Sequence, residues 1–330
     1  MDATEAAAVD GGEGPALRTV EVNGIRMRVA TQGRGPLVLL CHGFPELAHS
    51  WRHQVAALAA AGFSVAAPDM RGYGGTDAPH PVEAYTVLHL VGDMVDLVRQ
   101  LGHAQAVIVG HDWGAPVAWN SALWRPDVFR AVACLSVPLA PRGPISPLTA
   151  MKQTFGDNFF YILYFQQVGP PEAELGADAR HTMAQVLYGA SAESVAGREM
   201  PTELPPMEGT GFLTQMSEPP ALPWHGPEGV WLDQPELDVY VAEFAHSGFF
   251  GPVSWYRNLD ANAARANGLT AERLTMPSYF ITGDVDVVRL MDPTGPERMR
   301  NLLPDYRGET IIPGAGHWVQ QEAPHAFNEA

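Results

Sequence analysis

Residues 107–119 read VIVGHDWGAPVAW: an apolar strand, a tight turn and a helix in immediate succession. Val107, Ile108 and Val109 form an unbroken apolar run, as expected of a strand covered on both faces. From about Gly114 onward the residues suit a helix. Between the two stands Asp112, with Gly110 and Gly114 two places away on either side. A turn this tight has no room for side chains at the flanking positions, which accounts for the glycines. The aspartate itself has two readings. It caps the helix, a common use of the residue, or it holds a carboxylate out beyond the end of a strand.

The same alternation extends outward in both directions. LRTVEV and IRMRVAT flank Asn23-Gly24, a two-residue hairpin signal. PLVLLCHG is a second continuous apolar strand, and FSVAAPD, AVACLSVP, PSYFITGD and ETIIPG are further strands. SWRHQVAALAAAG, YTVLHLVGDMVDLVRQLG and PERMRNLLP read as helices, the first two stopped by Gly62 and Gly102. Strands alternating with helices predict an α/β fold with a mostly parallel central sheet flanked by helices.

The alternation breaks over residues 139–276. There MKQTFGDNFFYILYFQQ, DARHTMAQVLYG and PELDVYVAEFAHSGF are helical patterns, with Asp233 and Glu236 placed to cap the last. A long Pro-rich loop, PTELPPMEGTGFLTQMSEPPALPWHGPEG, lies between them. The expected organisation is a flexible tail over residues 1–16, a core domain over residues 17–138 and 277–330, and a helical cap, or lid, over residues 139–276.

Composition narrows the functional classes. Of 330 residues, 46% are apolar, enough to bury a substantial core. The net charge of −17, from 20 Lys+Arg against 37 Asp+Glu, argues against nucleic acid or an anionic membrane as partner. The two cysteines, Cys41 and Cys134, both fall in predicted core strands and read as packing residues. The first residues lack the basic-then-apolar order of a signal peptide, and no apolar run approaches membrane-spanning length. A cytoplasmic location is expected, and a homo-oligomer is left open.

In an open parallel sheet, ligands bind beyond the carboxyl ends of the strands. Three further motifs fall there. His42-Gly43-Phe44-Pro45 follows the first central strand, where this architecture places one backbone N–H of an oxyanion hole. The residue after the elbow supplies the other, so Phe44 and Trp113 are the candidate donors. Gly316-His317-Trp318 follows the last strand, where a general base is expected last in chain order. Gly283-Asp284-Val285-Asp286 lies before it and offers an acid to orient that histidine, Asp286 by preference and Asp284 as the alternative. The other place for such an acid, just past AVACLSVP, holds Ser136 and Pro138 and no carboxylate.

Taken together, HGFPE, GHDWGAPVAW, GDVDVV and GHW resemble the motifs of epoxide hydrolases of the α/β-hydrolase fold. The resemblance runs from about Leu17 to the end of the chain and covers the hydrolase unit alone. Within the insertion, NFFYILYFQ and SWYRN look like the two segments that carry the family's ring-opening tyrosines. The resemblance therefore implies Tyr161 and Tyr256 as donors to the epoxide oxygen. Helical spacing alone does not separate Tyr161 from Tyr164.

The chemistry suits that implication. Serine attacking a saturated carbon would leave an ether, which water activated by histidine does not readily cleave. A carboxylate leaves an ester, whose carbonyl water attacks. The expected reaction is an epoxide plus water giving a vicinal diol, through a hydroxyalkyl ester on the nucleophile Asp112. His317 acts as base, and no metal or organic cofactor takes part. The alternative is a haloalkane dehalogenase using the same aspartate. Against it stand Phe44, where dehalogenases commonly offer Asn or Glu, and the tyrosine pair, which a departing halide does not need. Aromatic and apolar residues of the insertion, among them Phe159, Phe160, Met183, Leu187, Phe212 and Trp224, are candidate walls for a small apolar epoxide.

Overall fold

The computed structural model describes residues 14–141, 143–196, 203–265 and 270–330. The expected tail falls almost wholly outside the described residues; its last residue opens the first strand. In chain order the strands are β1 (Ala16–Val22), β2 (Ile25–Gln32), β3 (Leu37–Cys41), β4 (Ser64–Pro68), β5 (Ala106–His111), β6 (Phe129–Leu135), β7 (Trp224–Gly226), β8 (Gly229–Leu232), β9 (Ser278–Gly283) and β10 (Tyr306–Ile312). β1 and β2 pair antiparallel across Asn23 and Gly24, whose φ values of 45° and 79° are the left-handed pair a tight hairpin requires.

Eight strands form one sheet in the order β1-β2-β4-β3-β5-β6-β9-β10. From β4 to β10 neighbouring strands run parallel. Alternate residues of β3 serve opposite faces. Leu37, Leu39 and Cys41 belong to one apolar cluster and Val38 and Leu40 to the other. Helices Val87–Gln100 and Gly114–Trp124 cover the first face. Residues of helix Arg52–Ala60 and of the C-terminal segment cover the second. A strand buried on both faces must be apolar at every position, which is why β3 reads as an uninterrupted run.

The chain leaves β3 toward β4 on one side, while β5 returns on the other. The strand order therefore reverses at β3, and a crevice opens beyond the carboxyl ends of β3 and β5. Cys41 pairs with Gly110 in that register, so the residues that follow each strand emerge side by side.

Between β6 and β9 the chain leaves the main sheet. Helices Pro147–Phe155, Ala179–Gly189, Gln234–Ser247 and Phe250–Arg257 form most of this insertion. Asp233 caps the third, accepting from the Glu236 N–H at 3.0 Å, as its sequence suggests. Two local expectations need correction. The pattern MKQTFGDNFFYILYFQQ is not one helix: Gly156, at φ 57°, ends the first piece. The Phe159 N–H then bonds Pro205 O before a single helical turn, Tyr161–Tyr164. The Pro-rich loop also ends in an unexpected hairpin, β7–β8.

Side-chain bonds tie the insertion to the core. Glu243 pairs with Arg28 at 2.8 Å, the Trp255 indole donates to Arg71 O at 3.1 Å, and the Tyr240 hydroxyl lies 2.8 Å from Ser50 Oγ. Among the described residues no helix is long and apolar enough to cross a membrane.

Candidate active site

Asp112 sits at the first residue past β5 with φ 48°, a left-handed conformation uncommon for a residue with a side chain. The flanking glycines are there for space. A Cβ on Gly110 would lie 2.0 Å from Gly114 O, and one on Gly114 would lie 2.1 Å from Cys41 O. The Asp112 side chain does not cap the helix that follows, whose N-terminus has no side-chain cap. It turns instead toward the crevice, where Oδ1 accepts from the Phe44 N–H at 2.7 Å. Oδ2 lies 3.6 Å from His317 Nε2.

The other nitrogen of His317, Nδ1, is 3.0 Å from Asp286 Oδ1. Of the two aspartates in that loop, Asp286 faces the histidine. Asp284 turns away and accepts from the Gly314 N–H at 2.8 Å. Asp286 is fully buried, and burial disfavours its charge. The adjacent His317, the Ser136 hydroxyl and the Val288 N–H outweigh that and hold its carboxyl below the usual range. Burial likewise opposes charge on His317, but the two carboxylates flanking it raise it well above an ordinary histidine.

Opposite Asp112 stand Tyr161, at the head of its single helical turn, and Tyr256, in helix Phe250–Arg257. Their ring centroids are 5.8 Å apart, and the Tyr256 ring packs edge-on against Trp113 at 5.0 Å and Phe44 at 5.6 Å. Burial, reinforced by the Asp112 carboxylate, raises both phenols above their ordinary value, so both are neutral hydrogen-bond donors. Tyr164, the alternative by spacing, packs on Phe159 and Phe165 instead.

Asp112, Trp113, Phe44, His317, Tyr161 and Tyr256 all line one cavity of about 1630 Å³. Its walls are largely apolar. Phe159, Phe160 and Phe212 contribute as expected from sequence, whereas Met183, Leu187 and Trp224 turn into the packed interior. Val186 and Met216 line the wall instead.

Three residues of the site were given no role from sequence. Ser136 Oγ lies 2.9 Å from His317 Nδ1. Glu46 and His111, both with no exposed surface, form a buried pair directly beneath the elbow. His111 Nδ1 is 2.5 Å from Glu46 Oε2, and Nε2 is 2.8 Å from the His317 carbonyl. Both ring nitrogens of His111 are thus engaged by oxygen atoms, one from a side chain and one from the backbone. Glu46 also accepts from the Gly43 N–H at 3.0 Å and the Gln320 amide at 2.9 Å. One carboxylate thus joins the Phe44 loop, the elbow and the His317 loop. The residues sit inside the motifs HGFPE and GHDW, but their partnership is across sixty-five positions and has no local signature.

Glu46→Gln would break this buried pair. We expect a loss of ~3–5 kcal/mol of stability, read as a lower urea midpoint with unchanged slope. A midpoint equal to wild type would show that the pair contributes nothing net.

Comparison with known proteins agrees with this geometry. Residues 36–184 match the model of the alpha/beta hydrolase fold family. Epoxide hydrolase A of Mycobacterium tuberculosis is 44% identical over 94% of this chain and 94% of its own. An epoxide hydrolase of Caballeronia sordidicola is 38% identical over 94% of this chain and 90% of its own. Among solved structures, Epoxide Hydrolase A from Mycobacterium thermoresistibile superposes with a TM-score of 0.87 at 45% identity, covering 96% of both chains. An epoxide hydrolase from an endophytic Streptomyces gives 0.88 at 40% identity, covering 96% of this chain and 94% of that one. With an elbow, a crevice and relatives of this kind, the chain belongs to the epoxide hydrolases of the α/β-hydrolase fold.

Proposed function

We propose that this enzyme converts an apolar epoxide to a vicinal diol through a covalent ester on Asp112, with residues 139–276 acting as the cap that closes the cavity. The observation that carries the reading is the placement of two neutral phenols across one cavity from a carboxylate already held by an oxyanion donor.

Oδ1 of Asp112 rests on the Phe44 N–H, which leaves Oδ2 to attack an epoxide carbon. The carbon–oxygen bond breaks, and the phenols of Tyr161 and Tyr256 hold the departing oxygen while one gives it a proton. The product of this step is a hydroxyalkyl ester and a tyrosinate. Esterification also removes the Asp112 charge, one of the two that favour the protonated form of His317. The neutral ring, the form able to take a proton, is therefore favoured at the step that needs it.

His317, steadied by Asp286, then takes a proton from water as the water attacks the ester carbonyl. The former Oδ1 becomes the oxyanion, held by the N–H groups of Phe44 and Trp113. Collapse expels the diol oxygen, which is protonated by His317. The proton released with the carboxylate returns to the tyrosinate. Asp112 is restored with one oxygen from water.

The test is where that oxygen goes. In a single turnover in water enriched in the heavy oxygen isotope, the diol should carry little label and Asp112 should carry it, read by mass spectrometry of both. Fully labelled diol from the first turnover would mean direct attack by water and no ester. Release of bromide from matched haloalkanes without diol formation from epoxides would assign a dehalogenase instead.

A further inference from the structure

Ser136 follows β6 directly and adopts φ 67°. Serine is not favoured in the left-handed region. Its N–H donates to Ile281 O at 3.0 Å, tying the end of β6 to β9. The side chain is fully buried. Its Oγ lies 2.9 Å from His317 Nδ1, as close as Asp286 Oδ1 at 3.0 Å. The single N–H at Nδ1 is therefore shared between two acceptors that arrive from two different strands. The hydroxyl has its own proton to place, and the Asp286 carboxylate beside it is an acceptor.

We propose that Ser136 is a positioning residue for His317, accepting from Nδ1–H while donating to Asp286. The proposal rests on the reading of His317 as the base of ester hydrolysis. Its physical basis is angular. One acceptor leaves the imidazole free to swing about the line joining it to Asp286. A second acceptor from β6 removes that freedom and keeps Nε2 aimed at Asp112. Only the hydrolytic step uses Nε2 as a base, so only that step should feel the loss. Ring opening depends on Asp112 and the tyrosines, none of which Ser136 touches in the hydrogen-bond pattern.

Three variants test this by single-turnover kinetics, with ester formation and ester decay followed separately by intact mass. Ser136→Gly removes the hydroxyl and suits the left-handed backbone, so the chain is not strained by it. We expect ester decay to slow by ~10-fold or more, the effect of losing a hydrogen bond to a charged group, with formation little changed. Aspartate tolerates the left-handed region better than most residues. Asp286→Asn should stall ester decay, and adding Ser136→Asp to it should recover decay by ~10-fold or more over Asp286→Asn alone, the same hydrogen-bond effect regained. Ester decay at the wild-type rate in Ser136→Gly, or equal slowing of both steps, would overturn the proposal, as would a folded double variant with no recovery. Should the double variant not fold, the decay rate of Ser136→Gly decides alone. Absence of any ester on the wild-type enzyme would instead sink the reading of the mechanism.

Discussion

A His317→Gln variant mixed with a styrene-type epoxide should gain the mass of one substrate molecule on the peptide bearing Asp112 and release almost no diol. The separation of roles makes this the largest expected effect. Asp112 Oδ1 is held by the Phe44 N–H, not by His317, so the carboxylate keeps its orientation when the imidazole is gone. The phenols proposed to serve the leaving oxygen are likewise independent of it. Water attack on the ester has no other base in place, because the only nitrogen near Asp112 Oδ2 among the described hydrogen-bonding and ionic contacts is His317 Nε2, at 3.6 Å. Glutamine roughly keeps the volume and loses the base, so multiple turnover should fall by ~10³-fold or more. A variant that turns over without accumulating adduct would show that the ester, if formed, is opened by another group.

The second large effect concerns the tyrosines. Tyr161→Phe and Tyr256→Phe should each slow ring opening by ~10²-fold while changing substrate affinity little. Without a proton donor the broken bond would leave an alkoxide facing an apolar cavity, where charge is poorly solvated. Each phenol is held neutral by burial and by Asp112, so each is present as a donor throughout the ordinary pH range. The ring remains in both variants, and with it the packing on Trp113 and Phe44. The measurement is the rate of ester formation in a single turnover, with affinity taken from its substrate dependence. The double variant should lose more than either single one. Equal formation rates in wild type and either variant would remove that tyrosine from the mechanism.

The elbow was legible because its signals are local. Gly110 and Gly114 mark a turn whose backbone atoms exclude a Cβ, and that is a property of neighbouring residues. The hairpin at Asn23-Gly24 and the helix stops at Gly62 and Gly102 are of the same kind, each glycine standing at positive φ. The long helix expected across residues 151–167 failed for the opposite reason. Its apolar spacing was real, but Gly156 broke the backbone and the segment from Asn158 found partners in Pro205 and Pro206. Spacing reports that a face is buried without saying against what. The same limit explains why Met183 and Leu187 pack inward while Val186, their neighbour on the same helix, reaches the cavity.

From its residues alone this chain specified the strand order of chemistry: a carboxylate at a glycine-lined turn, a histidine past the last strand and an acid before it. These are encoded by short motifs whose backbone demands are met within a few positions. Only the tertiary structure decided that Asp286 rather than Asp284 faces His317, that Tyr161 rather than Tyr164 faces the cavity, and that Glu46, His111 and Ser136 brace the loops around them. Those choices depend on which strand ends the sheet brings within about 3 Å of one another, a matter of packing between distant segments that no local pattern records.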